Sequence, residues 1–476
     1  MVAGSSGNGA MKRFEVPVVV GAGPAGLSAG YALTRAGVRP KLLERGDKVG
    51  MTWRTYYDTL RLNSPRILSS LPGMTIDPGA GRFPSRVDFI LYLERYARRW
   101  DLDVEYGIDV QRIDRHDGGW SLQTSKGPMW APQVVVATGL YAQPTFPDWP
   151  GIEGFTKELM HVRQFRNAKG FVGKDVLVVG GGQSAADVAL EAAALGAKHV
   201  SLSVRKPPHV SRPAHFGVSP SLFAFIVKCL PTAFYPLLDR YELFTQRILR
   251  WFIVGDVSKY GFGVPEEGLT AALQERGHGI LIDRGLITAL KAGQVEALPA
   301  VEGFDGDEVI LADGRRVSPD VVVAGTGARG TLPSLVGHLG VLDVDGRPLK
   351  HGGAKSPGAP GLYFIGYRLP PGVLPDARRD APAIARSITG RRAWPPPIWR
   401  TSGSGYPVRA PSDLASGSGG NGKDPSSARP QPEDGAAAPR SPDPVLESTL
   451  ESRSATSRFA EARPARSRPR NSKSTR

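Results

Sequence analysis

The chain contains one cysteine, Cys229, in 476 residues. An intramolecular disulfide is therefore impossible and a Cys-x-x-Cys redox pair is excluded, which suits a reducing compartment. It also lacks any run of about 18 apolar residues, the length a membrane span requires. Its most apolar stretch, FGVSPSLFAFIVKCLPTAFYPLL at 216–238, is broken by Lys228 and Pro231. That stretch reads as a buried or interfacial helix pair, which leaves peripheral membrane contact open. The opening MVAGSSGNGAMKRFE lacks the apolar centre of a signal peptide. These absences predict a cytoplasmic protein with no transmembrane segment.

Acidic residues are in deficit, 45 against 60 Lys and Arg, for a formal net charge of +15. Residues 391–476 hold 15 Lys and Arg but 8 Asp and Glu, so about half of the excess lies there. This stretch is rich in Pro, Gly, Ser and Ala and cannot bury enough apolar surface to offset the entropy of ordering it. It is predicted to be a disordered basic tail. The charge left on the rest of the chain is modest and gives little ground for nucleic-acid binding.

What is present is alternation. VPVVV (16–20), RPKLLER (39–45), QVVVATG (133–139), DVLVVG (175–180), HVSLSVR (199–205) and DVVVAGTG (320–327) are apolar runs separated by helical stretches. Such runs mark buried parallel strands in β-α-β units. GWSLQTSKGPMWAPQVVVATG reads as a hairpin feeding a buried strand. The expected fold class is α/β, with two Rossmann-like dinucleotide-binding domains, the second inserted into the first.

Two glycine turns carry the chemistry. Gly21, Ala22, Gly23, Pro24, Ala25 and Gly26 form GxGxxG between a strand and a helix. The first glycine permits the turn, the second admits a pyrophosphate, and the third lets helix and strand pack closely. Glu44 follows 23 residues after Gly21, with Arg45 beside it. A carboxylate at that offset suits ribose hydroxyls and disfavours a 2′-phosphate, so FAD or NAD fits. The second turn is GxGxxA: Gly180, Gly181, Gly182, Gln183, Ser184, Ala185. Here Arg205 and Lys206 stand 25 and 26 residues after Gly180. Cations at the strand end suit the 2′-phosphate of NADPH. Without a cysteine pair, electrons from NADPH through FAD go to O₂ or an external acceptor.

Further stretches carry a resemblance over roughly residues 14–390. Phe155, His161 and Phe165 in FTKELMHVRQF are similar to the fingerprint FxGxxxHxxxF/W. VGMTWRTYYDTLRLNSPRILSSLPG (49–73), RFPSRVDFILYLERYARRWDLDVEYGIDVQRID (82–114), VVVATG (134–139) and SVRKPPHVSRP (203–213) occur in the family's order. The chain resembles a class B flavin-containing monooxygenase, and within that group the YUCCA-type indole-3-pyruvate monooxygenases and their bacterial relatives. The resemblance implies that NADPH reduces FAD and that the flavin activates O₂ as a C4a-hydroperoxide. This oxygenates a small organic substrate, first an indole-3-pyruvate-like 2-oxo acid. N- or S-oxygenation and Baeyer–Villiger chemistry are the alternatives, and a degenerate FAD protein acting as NADPH oxidase or redox sensor is the rival of another class.

By residue, the resemblance implies that Asn63 is catalytic and lies beside flavin and nicotinamide. Trp53 and Arg54 adjoin the isoalloxazine, Val110 meets adenine through its backbone, and Ala137, Thr138 and Gly139 close the first FAD half. His161 positions the linker. The expected domains are 14–150 and 318–390 for FAD, 151–170 as linker, and 171–317 for NADPH with a helical insertion at about 216–262. Oligomeric state is not legible. Four departures stand out. Lys157 replaces a glycine expected to need positive φ. Gln183 stands where the subgroup has Asn, as in N-hydroxylating relatives. GTGARG (325–330) departs from an ATGY-like motif. Prolines in GYRLPPGVLPDARRDAPAIARSI (366–388) predict a different local path.

Overall fold

A computed structural model describes residues 11–211, 257–263, 265, 281–368 and 373–391. The expected tail beyond residue 391 and most of the expected insertion, 212–256, lie outside the described residues. Among the described residues no helix is long and apolar enough to cross a membrane.

Two five-stranded parallel sheets organise the chain. The first runs Leu362–Phe364, Val134–Val136, Val18–Val20, Lys41–Glu44 and Asp103–Tyr106. The second runs Glu158–His161, Val321–Ala324, Asp175–Val179, His199–Ser203 and Glu296–Leu298. Both central strands are valine-rich and almost wholly buried, because helices cover both faces of a parallel sheet. In each unit an antiparallel meander precedes the strand that joins the centre. Val110–His116, Gly119–Thr124 and Gly127–Ala131 lead to Val134–Val136. Val301–Asp305, Glu308–Leu311 and Arg316–Val317 lead to Val321–Ala324. The hairpin expected from GWSLQTSKGPMWAPQVVVATG is there in register.

This repeat corrects two expected boundaries. The strand Val321–Ala324, assigned to the FAD domain from residue 318, belongs to the second sheet. The presumed linker 151–170 contains Glu158–His161, the edge strand of that sheet. A run of apolar residues announces a strand but does not say which sheet accepts it. The chain passes from the first unit to the second at Gln143–Pro144 and returns antiparallel to it at Ala328–Arg329.

The helix after each turn is alanine-rich. Pro24–Arg35 begins with Pro at its first position, where the missing N–H costs nothing. Against it packs Val373–Thr389, through Ala377, Ala381, Ile384 and Ala385. Of the stretch expected to take a different path, Val373 onward lies in this 17-residue helix, while 369–372, with Pro370 and Pro371, lie outside the described residues. Pro375 falls in its first turn, and Pro382 is accommodated in its interior.

The departure at GTGARG also has a steric reason. Gly325 is the counterpart of Ala137, and Ala185 the counterpart of Gly26. A Cβ on Gly325 would lie 2.8 Å from the Cβ of Ala185. In the first unit the methyl belongs to the strand end, and in the second it belongs to the helix. Gly325→Ala should therefore cost about 1–3 kcal/mol, read as a shift in denaturant midpoint. Adding Ala185→Gly should recover most of that loss, and a second variant no more stable than the first contradicts the exchange.

Candidate functional site

The site begins with the two turns at the carboxyl ends of the central strands. Gly21 has φ +106° and its N–H donates to Leu43 O at 2.7 Å. Gly180 has φ +138° and donates to Ser203 O at 2.8 Å. A Cβ would lie 2.7 Å from Ala137 O at Gly21, 2.3 Å from Gly325 O at Gly180, and 1.8 Å from Gly21 O at Gly26. These glycines are demanded by the protein itself. Gly23 and Gly182 differ, since a Cβ there meets nothing within 4 Å. Each is the residue before its helix, and no side chain caps either helix. Two helix starts thus present backbone N–H groups to open space, where phosphates bind. The cradles fit dinucleotides.

Glu44 is buried and accepts from Ala22 N–H at 2.8 Å and Gly46 N–H at 2.9 Å. This holds its carboxylate at the edge of the first cradle, with lone pairs to spare for ribose hydroxyls. Arg45 is exposed. Ala137 is buried under the turn, and Gly139 has φ +84°. Thr138 N–H donates to the Tyr367 hydroxyl at 3.0 Å, and burial pushes that phenol up to about 12. Val110 opens an antiparallel strand opposite Thr124, half-buried against the first unit's lower core. Beside the second cradle, Arg205 and Lys206 are exposed, and the Lys206 carbonyl lies 3.3 Å from where a Gly181 Cβ would stand.

The strip 53–63 crosses between the units. Trp53 packs edge-on to Phe89 at 4.6 Å and touches both cores, while Tyr57 and Leu60 belong to the core of the second unit. Arg54 pairs with Glu94, so its guanidinium is engaged within the first unit. Asn63 is exposed on this strip. Its Oδ1 accepts from Arg284 Nη2 at 2.8 Å.

Under the strip lies a buried carboxylate, Asp187. Tyr57 Oη donates to it at 2.7 Å, Gln183 Nε2 at 2.8 Å and Arg284 Nη1 at 2.8 Å. Burial pushes the Asp187 carboxyl up, opposed chiefly by the Arg284 charge. Burial, then the Asp187 charge, push the Tyr57 phenol well up. Gln183 also donates to Ile282 O at 3.2 Å and accepts from Ile282 N–H at 2.8 Å. The Gln183 amide, expected at the cofactor, is therefore turned into the protein, where it tethers the strand at 282. The Ser184 and Ala185 backbone remains at the helix start.

His161 is buried at the crossing between the sheets. Its Nδ1 accepts from Arg163 N–H at 3.1 Å, so the proton sits on Nε2, 2.9 Å from the Gly327 carbonyl that accepts it. It bonds the returning chain at Gly327, whereas the fingerprint suggests that it positions the linker. Lys157 is not among the residues with positive φ; the side chain causes no strain, and Nζ reaches Ser318 O at 3.5 Å. Next to His161, Arg163 lies over the Tyr56 ring, 4.5 Å from its centroid. Its Nη1 is buried without a hydrogen-bond partner. Tyr141, 42% exposed, has its phenol pushed up by burial and by Tyr56.

Sequence reasoning missed Tyr57, Asp187, Arg284, Arg163 and Tyr367. Asp187 was detectable, as an acidic residue on the apolar face of an alanine-rich helix. The others sit outside any repeated pattern.

The family model described as pyridine nucleotide-disulphide oxidoreductase matches residues 18–229. A probable indole-3-pyruvate monooxygenase of Arabidopsis thaliana, YUCCA8, is 32% identical, over 78% of this chain and 88% of that protein. The indole-3-pyruvate monooxygenase YUCCA1 of Oryza sativa subsp. japonica is 32% identical, over 74% and 86%. A flavin-containing monooxygenase from Stenotrophomonas maltophilia superposes with a TM-score of 0.59 at 23% identity, covering 80% of this chain and 99% of that one. Cyclohexanone monooxygenase bound to ε-caprolactone superposes with 0.60 at 18%, over 80% and 88%.

Burial holds the His161 pKa below its ordinary 6.5, although Gly327 pulls it upward. The folded protein binds this proton less readily than the unfolded chain. Stability from the site is therefore complete above that ordinary value and is lost as pH falls through it toward the folded value. His161→Gln should lose less stability than the parent between about pH 7 and pH 5, read from thermal midpoints. Equal slopes contradict the assignment.

Proposed function

The chain belongs to the class B flavin-containing monooxygenases, and we propose that it oxygenates an aromatic 2-oxo acid of the indole-3-pyruvate type. It is an NADPH-dependent flavin enzyme, with FAD and NADPH as cofactors. In this reading the Gly21–Gly26 turn, Glu44, Trp53, Arg54, Val110 and Ala137–Gly139 hold FAD. The Gly180–Ala185 turn, Arg205 and Lys206 hold NADPH. Reduced flavin supplies the electrons that activate O₂, and the protein orients the partners and keeps water out.

Arg163 over Tyr56 carries the substrate class. A guanidinium with a buried unpartnered N–H, stacked on the Tyr56 ring, offers a carboxylate partner beside an apolar face. Tyr56 is 5.9 Å from Trp53, which in this reading lies beside the flavin. Asn63 donates from its amide near the reacting oxygen. Insertion of one oxygen atom at the keto carbon, with loss of the carboxylate as CO₂, yields the acid one carbon shorter. The second oxygen leaves as water, using the hydride and a proton. Gln183 gives N-hydroxylation no support, because its amide is engaged with Asp187 and Ile282. Two departures from the family pattern have plain local accounts: Lys157 has no positive φ, and Gly325 in GTGARG leaves room for the Ala185 methyl.

The test is turnover of indole-3-pyruvate under isotopically labelled O₂, with CO₂ release and label in the product carboxylate expected. Arg163→Ala should raise KM about tenfold or more with FAD retained. NADPH consumed without labelled product, or an unchanged KM, overturns the substrate assignment. Separately, Arg205→Ala with Lys206→Ala should weaken NADPH binding about tenfold or more and NADH binding little. Equal losses contradict the 2′-phosphate role.

A further inference from the structure

Arg284 lies in LIDRG, outside every motif. The backbone around it is fixed on both sides. Ile282 is bonded to Gln183 in both directions. Asp283 N–H donates to Ser211 O at 2.8 Å, and its carboxylate accepts from Gly285 N–H at 3.0 Å and Ile287 N–H at 3.2 Å. Arg284 is therefore presented at a set place. Its guanidinium forks: Nη1 reaches Asp187 Oδ2 at 2.8 Å, and Nη2 reaches Arg61 O at 3.0 Å, Leu62 O at 3.3 Å and Asn63 Oδ1 at 2.8 Å.

A guanidinium has donors only, so the atom facing it must be the oxygen of Asn63. The amide orientation follows, with Nδ2 on the side away from Arg284. We infer that Arg284 is a positioning residue that sets Asn63 as a hydrogen-bond donor toward the cofactors and ties it to the helix of the NADPH turn through Asp187. A planar fork can do this, whereas the ammonium of lysine pairs with Asp187 as a point charge and cannot span both units. Outright removal of Arg284 would strand Asp187 in the interior, so lysine is the informative substitution.

The inference rests on the reading of Asn63 as the residue beside the flavin, and the experiment separates the two. The FAD-loaded protein is given NADPH without substrate, and peroxide release is measured for the parent, Asn63→Ala, Arg284→Lys and the double variant. Amide hydrogen exchange over residues 60–64 is measured on the same proteins without NADPH. Each single variant should release peroxide about tenfold faster, the factor carried by one charge-assisted hydrogen bond. The double variant should match Asn63→Ala alone, and exchange over 60–64 should speed up in Arg284→Lys. If Asn63→Ala leaves peroxide release unchanged, the reading of Asn63 fails and the inference with it. If Asn63→Ala raises it, two results overturn the inference alone: Arg284→Lys has no effect, or it multiplies the effect in the double variant. Unchanged exchange over 60–64 in Arg284→Lys overturns it as well.

Discussion

Asp187 is a carboxylate taken out of water at the place where the two units meet. It is tolerable there because Tyr57 comes from one side, Gln183 from its own helix, and Arg284 from the bend after the strand Leu281–Ile282. Each partner does a second job. Tyr57 anchors the strip that carries Trp53 and Asn63, Gln183 tethers residue 282, and Arg284 reaches Asn63. A buried charge of this kind adds little net stability, and removing one partner costs about 3–5 kcal/mol. Its value is positional. Two anion cradles built on separate sheets can exchange a hydride only if their separation is held, and this cluster is one of the clamps that hold it.

The cradles share one design with a compensated exchange. In both, a glycine with positive φ turns the chain under the carbonyl of a neighbouring strand end, and a second glycine leaves open space before a helix. The first unit places its methyl on Ala137 and none on Gly26; the second places it on Ala185 and none on Gly325. The polar contrast is equally simple. The strand next to the first turn ends in a carboxylate held by two backbone N–H groups. The strand next to the second runs on into two exposed cations. The proposed assignment of FAD to the first cradle and NADPH to the second rests on that difference of charge.

Much of this was legible before any coordinates. Valine runs, glycine spacing, Glu44 and the Arg205–Lys206 pair depend on neighbours close in sequence, and such signals survive in one dimension. The hidden parts depend on distant neighbours. Val321–Ala324 looked like a strand of the first unit, because pairing with Asp175–Val179 is a fact of topology. The prolines of 366–388 gave no sign of a helix, yet at Pro382 burial against the helix of the first turn outweighs the lost hydrogen bond. Gln183 looked like a cofactor ligand until Asp187 and Ile282 were seen to occupy its amide. Arg284 carried no signal, since its partners lie 97 and 221 residues away.

The central claim is that one chain holds FAD and NADPH in cradles that face each other closely enough for hydride transfer. Anaerobic titration of the FAD-loaded protein with NADPH tests it most directly. The account predicts that the flavin bleaches completely with one equivalent of NADPH per chain. A flavin that stays oxidised while NADPH binds would mean that the second cradle does not face the first, and would contradict the account.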